Sequence, residues 1–299
     1  MLQSISNWLS FVKFSHTIFA LPFALAAMAV AARETRGWPG WRLFALILAA
    51  MVCARTCAMA FNRIVDRKFD ALNPRTATRH LPAGTLSLAS ALAVCAVSAL
   101  ALVAVSYFIN PLCFALSPVA ILVVCFYSLT KRFTDFTHVF LGIALALAPV
   151  GAWLAVRGTA ITPVEGLQAS TLALAVVFWL IGFDIIYALQ DFEFDRQAKL
   201  GSLVVRWGPK NALAAAFLAH LVMILLLALF GVLCRFRLPY WVGMGLITIC
   251  LFAEHLLARR RRLEWINVAF FRMNALVSMI FVIVTITEVV FPFFRPRKG

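Results

Sequence analysis

Nine apolar runs, at roughly 11–32, 42–62, 86–107, 111–129, 136–156, 169–190, 211–231, 238–257 and 268–291, dominate this sequence. Each is close to the ~20 residues that a helix needs to cross a hydrocarbon core. Lipid offers backbone groups no water to bond, so such runs form helices or the strands of a closed barrel. Barrel strands alternate apolar and polar residues, and these runs do not. The expected fold is all-α, a polytopic membrane protein with nine transmembrane helices. The first run is too long for the apolar core of a cleaved leader and is read as a retained helix. Only 13% of residues are charged, half the usual share in a soluble domain. No soluble appendage or flexible linker interrupts the runs, so 1–299 is read as one domain.

A formal charge of +15 raises the question of nucleic acid, and the placement of the charge answers it. With the N-terminus in the cytoplasm, the loops at 63–85, 130–135, 191–210 and 258–265 share that side and hold fifteen Lys and Arg. The alternate loops hold far fewer. This is the positive-inside asymmetry, and the basic partner it implies is anionic lipid, not nucleic acid. "RRRR" at 259–262 is read as a topology anchor. The seven cysteines form no CxxC pair and are read as small packing residues. His16, His80, His138, His220 and His255 are widely separated and are read as structural or interfacial.

The acids are the unusual feature. Of twelve Asp and Glu, six fall in two short stretches: Asp66 and Asp70, then Asp184, Asp191, Glu193 and Asp195. At ~100° per helical residue, Asn62, Asp66 and Asp70 share one face, and Asp184, Tyr187, Asp191 and Asp195 fall within ~80° of arc. Glu193 points away from that stripe. Each cluster is thus expected as a carboxylate stripe on the cytoplasmic end of a helix. Facing stripes repel unless cations hold them, and oxygen ligands suit Mg²⁺, which completes its shell with water and phosphate oxygens. The residues therefore point to a Mg²⁺-bridged phosphate or diphosphate site. Nearby Arg63, Arg67, Lys68, Arg75, Arg79, Lys131, Arg132 and Lys199 are candidates to neutralise remaining anionic oxygens.

"NRIVDRKFDALNPRTATRHLPAG" from Asn62 resembles the first Asp-rich motif of the UbiA-type membrane aromatic prenyltransferases, NDxxDxxxD followed by RTxxRxLPxG. "DIIYALQDFEFDRQAKLGS" from Asp184 is similar to their second, DxxYxxxDxxxD with a Gly-Ser turn. "YSLTKRFT" at 127–134, Arg55 in the second run and "KFSHTIFALPFA" at 13–24 add to the likeness, which spans the chain. One departure is Arg63, where many members carry Asp. NRxxDRxxDxxNPRT resembles the 4-hydroxybenzoate polyprenyltransferase-like branch, some members of which serve menaquinone synthesis.

The resemblance implies transfer of a polyprenyl chain from its diphosphate to an aromatic acid. It implies a central cavity open to the cytoplasmic face and sideways to the lipid bilayer, where the tail stays. It assigns Mg²⁺ to Asp66, Asp70, Asp191 and Asp195 with Asn62, and diphosphate contacts to Lys131, Arg79 and Lys199, with Arg63 a further cation. Tyr127 and Tyr187 would face the allylic cation, and Arg55 and Asp184 the aromatic ring. A CDP-alcohol phosphotransferase is excluded by the missing DGxxAR pattern. A transporter would spread its acids along the membrane path, and here nearly all lie at one face.

Overall fold

The computed structural model describes residues 11, 17–259 and 263–291. His16, Arg260 to Arg262, the first part of the 13–24 stretch and the tail beyond 291 lie outside them. Among the described residues every regular element is helical. They are α1 (Thr17–Ala31), α2 (Trp41–Leu72), α3 (Leu88–Ile109), α4 (Pro111–Phe126), α5 (Thr137–Arg157), α6 (Pro163–Ala188), α7 (Phe192–Gln197), α8 (Leu203–Leu233), α9 (Leu238–Ala258), α10 (Leu263–Val268) and α11 (Asn274–Val290). Eight helical spans are long and apolar enough to cross a membrane, and Phe19–Ala31 is a shorter apolar helix. These correspond to the nine runs.

Local chemistry sets the ends. Asn110 accepts from the Cys113 amide at 2.8 Å ahead of Pro111, which starts α4 where the missing proline N–H costs nothing. Thr162 and Glu165 form a reciprocal capping box on α6. At Gly208, with φ +77°, the backbone leaves helical geometry just before Pro209, and α8 is kinked there.

Two groups of helices face each other. One is α2, α3 and α4; the other is α6, α8, α9 and α11, and α1 and α5 pack between them. In lipid, helices associate through close packing and polar contacts, not through apolar burial against water. Accordingly α1 is rich in alanine: Ala24, Ala26, Ala27 and Ala29 are fully buried. At Gly182 of α6 a Cβ would lie 2.2 Å from the His220 ring of α8, so only glycine lets this pair close. His220 in turn meets His255 at 2.9 Å. Beside them Asn274 links Glu254 (2.7 Å) and Trp179 (2.6 Å), a buried polar cluster joining four helices. These two histidines are structural, as expected. The thiol of Cys57 lies 3.9 Å from those of Cys95 and Cys125, as packing among α2, α3 and α4. Large side chains on the outer faces, such as Leu100, Leu122, Leu225 and Ile249, are exposed, as a lipid-facing surface requires.

Candidate active site

Helix α2 runs ten residues past its apolar run and carries Asn62, Asp66 and Asp70 on successive turns, as the four-residue spacing predicts. The second stripe differs from expectation. Asp184 and Tyr187 lie on α6, but Leu189–Asp191 tightens into a 3₁₀ turn before α7 takes Asp195. The stripe is bent, not straight. Both acidic segments, with a 3₁₀ turn at Tyr127–Arg132 after α4, close one end of a cavity of about 530 Å³.

The arrangement of this end rests on one loop contact. The Gly201 amide donates to the Lys131 carbonyl at 2.7 Å, and a Cβ on Gly201 would lie 2.3 Å from the Thr134 carbonyl oxygen. The glycine of the expected Gly-Ser turn therefore seats the Lys131 turn against the second acidic segment. Ser202 then caps α8, accepting from the Val205 amide at 3.1 Å.

Cations hold the carboxylates. Asp66 accepts from Arg132 at 2.8 Å and from Asn62 Nδ2 at 2.9 Å. Asp70 accepts from Arg79 at 2.6 Å, with Arg63 at 3.9 Å. Asp191 takes the fork of Arg75 through Nε (2.8 Å) and Nη2, and Asn73 Nδ2 at 3.0 Å. The third Arg75 nitrogen, Nη1, donates to the Tyr187 hydroxyl at 3.0 Å. Burial alone would lower the Arg75 pKa, but the hydrogen bonds and charge of Asp191 outweigh it and raise it. The first motif's loop is thereby tied to the second motif by a two-pronged, charge-assisted contact. Asp184 pairs differently: its Oδ2 lies 2.6 Å from His138 Nδ1.

The cavity brings together Asn62, Arg63, Asp66, Asp70, Arg79, Tyr127, Lys131, Asp184, Tyr187, Asp191, Asp195 and Arg55. Lys199 is the exception. It is exposed, outside the lining, in a left-handed turn with φ +54°. The resemblance put it on the diphosphate; the chain turns at this position and carries the side chain away from the cavity. Glu193 is exposed and paired with Arg196, off the site as expected. Of the described histidines read as structural or interfacial, His138 is the one that lies at the cavity. Arg75 and Arg132 were legible only as nearby cations, and Asn73 and Ser202 only as members of the NPRT and Gly-Ser motifs; Phe270 carried no sequence signal. Phe270 lies on a π turn, Ala269–Met273, and its ring centroid is 4.3 Å from that of Tyr187.

The cavity has two chemical halves. Six cationic side chains and five carboxylates line it, all but the deeper Arg55 toward the loop end. Beyond them the walls are apolar, with Met51, Ala54, Leu102, Ala120, Leu141 and Leu145. Leu116 and Val119 of α4 line it and are themselves exposed, Val119 at 56%, so the apolar half reaches the flank of the bundle. A divalent cation fits the acidic donors. Asp70 Oδ2 and Asp195 Oδ2, one from each motif, are buried with no hydrogen-bond partner. Among the described residues no three acidic, His or Cys side chains converge to hold an ion alone. That suits Mg²⁺, which takes one or two carboxylates and completes its shell with water and phosphate oxygens.

A UbiA prenyltransferase family model matches residues 20–276. The 4-hydroxybenzoate octaprenyltransferase of Cupriavidus necator is 32% identical over 261 residues, covering 87% of this chain and 90% of its own. That of Methylobacillus flagellatus is 31% identical, over 82% and 81% respectively. Among solved structures, the apo UbiA homolog of Aeropyrum pernix K1 is 31% identical with a TM-score of 0.81, covering 91% of this chain and 98% of that one. A UbiA homolog from Archaeoglobus fulgidus, bound to DMAPP and Mg²⁺, has a TM-score of 0.71 over 95% and 99%, at 20% identity. The last likeness concerns fold alone.

Proposed function

Because the chain belongs to the UbiA prenyltransferase family, we propose that it transfers a polyprenyl group from polyprenyl diphosphate to 4-hydroxybenzoate, ortho to the hydroxyl, in quinone biosynthesis. The observation that carries this reading is the two-part cavity, a charged rim closing an apolar chamber. An isoprenoid diphosphate has the same division. The bacterial relatives carry the name of this activity, and the A. fulgidus homolog binds DMAPP with Mg²⁺.

In this reading Asp66, Asp70, Asp191 and Asp195, with Asn62, are the residues that would hold Mg²⁺. When bound, the ion supplies positive charge that stabilises the departing diphosphate. Lys131, Arg79 and Arg63 face the remaining anionic oxygens, and preorganised charge of this kind costs no reorganisation during reaction. Tyr127 and Tyr187 offer ring faces to the allylic cation. The apolar wall keeps water from intercepting it. Arg55, two helical turns deeper on α2 than Asn62, pairs with the acceptor's carboxylate, and Asp184 orients the ring. A single domain, 1–299, in the bacterial cytoplasmic membrane carries the site, which faces the cytoplasm as the loop charges indicate.

The test is transfer itself. Purified protein in detergent, given radiolabelled polyprenyl diphosphate, should prenylate 4-hydroxybenzoate in the presence of Mg²⁺ and stop on chelation. Prenylation of a dihydroxynaphthoate alone would move the chain to the menaquinone branch. No transfer to either acceptor would refute the proposal.

A further inference from the structure

The carboxylates of the cavity divide by the kind of partner each has. Asp66, Asp70 and Asp191 accept from Arg132, Arg79 and Arg75, and a guanidinium keeps its charge throughout. Asp195 shares the cavity wall with the Lys131 ammonium. Asp184 alone of the five is paired with an imidazole. A carboxylate that takes up a proton beside a fixed cation forfeits an ion pair. Beside a neutral imidazole that donates from Nδ1 it forfeits no ion pair: the proton goes to one carboxyl oxygen while the other still accepts from the ring.

Burial fixes which partner faces the reaction. His138 is 1% exposed, and its Nε2 has no hydrogen-bond partner. A buried N–H without an acceptor is costly, so the ring carries its proton on Nδ1 and donates it to Asp184 Oδ2. The Asp184 side chain is 19% exposed and lines the cavity together with Lys131 and Tyr187. The carboxylate is therefore in reach of a substrate, and the imidazole stands behind it.

Resting on the proposed aromatic prenyl transfer, we infer that Asp184 accepts the ring proton and that His138 is its positioning residue. The bookkeeping is complete without another reagent. The allylic C–O bond breaks and its pair leaves with the diphosphate; ring electrons then form the new C–C bond. The C–H bond at the substituted ring carbon breaks, its electrons restore aromaticity, and the proton passes to Asp184. It leaves to water as the product departs. An arenium ion is a strong acid, so a carboxylate suffices if it is held in place.

The experiment compares 4-hydroxybenzoate with the same acid deuterated at both ring carbons ortho to the hydroxyl. In the wild type the isotope effect should stay near unity, the result expected when C–O ionisation limits turnover. His138→Phe removes the donor but leaves the carboxylate, so kcat should fall at least ~10-fold but less than the ~10²–10⁴-fold that a general base itself contributes, and an isotope effect should emerge. Affinity for an unreactive prenyl thiodiphosphate should be unchanged. His138→Asn keeps an N–H near the Nδ1 position and should restore both kcat and the unit isotope effect. A wild-type-like isotope effect in His138→Phe would overturn the inference. So would loss of thiodiphosphate binding in step with kcat in both variants, which would make His138 structural. Failure of the wild type to prenylate 4-hydroxybenzoate would refute the proposed function, and this inference with it.

Discussion

Asp191 and Glu193 stand two residues apart and differ in everything that matters electrostatically. Asp191 is 8% exposed and held by Arg75 and Asn73; Glu193 is exposed on the far side with Arg196. Asp191→Asn keeps the shape and removes the charge, so activity should drop at least ~100-fold, as on loss of one electrostatic stabiliser. Glu193→Gln should change activity little, since an exposed ion pair is worth about 0–1 kcal/mol. Steady-state rates of the two variants check this, and equal damage would refute the geometry. Arg55 and Lys131 separate by substrate. Lys131→Ala should raise the KM for prenyl diphosphate whatever acceptor is offered. Arg55→Gln should impair 4-hydroxybenzoate more than a phenol lacking the carboxylate, because its contact is a charge-assisted pair. Identical loss with both acceptors would remove Arg55 from ring recognition. Much at this scale was legible, because a four-residue step on a helix fixes a shared face. His138 was not: its partner is 46 residues away, and no spacing within one helix reports a contact between two.

The apolar runs marked the helices well, since in lipid the backbone must satisfy itself within each segment. What they could not mark are departures governed by neighbours. The 3₁₀ turn at Leu189–Asp191 bends a stripe that periodicity alone draws straight, and a left-handed turn at Lys199 follows it, outside the cavity lining. The π turn at Ala269–Met273 is fastened by Asn274, whose Nδ2 donates to the Phe270 carbonyl at 3.0 Å; the sequence there reads as ordinary helix. The Gly-Ser turn gives the sharpest element-level prediction. Gly201→Ala places a Cβ against the Thr134 carbonyl oxygen, and backbone on both sides leaves no flexible side chain to yield. The Tyr127–Arg132 turn must then shift, taking Lys131 with it. The KM for prenyl diphosphate should rise while that for the acceptor changes little; wild-type constants for both would show that the turn is not seated by this contact.

At the scale of the whole molecule, the two acidic segments must emerge on one side of the bilayer to share a cavity. Reporter fusions at Ala83 and Gly208 should both read cytoplasmic, and opposite readings would be incompatible with the site. The Lys and Arg pattern gives the side that the fusions should report, and the helix count was readable from hydropathy. The grouping of α2, α3 and α4 against α6, α8, α9 and α11 was not, because apolar runs do not say which of their faces meet. That the apolar half of the cavity comes out on the flank, at Leu116 and Val119, makes this a catalyst working in two dimensions. Its hydrophobic substrate arrives, and its product departs, within the plane of the membrane. The concentration that governs turnover is then molecules per lipid, not molecules per litre. In proteoliposomes loaded with polyprenyl diphosphate, adding buffer at saturating 4-hydroxybenzoate should leave the rate per enzyme unchanged. Fusing in extra phospholipid should lower it as the substrate is spread over a larger sheet.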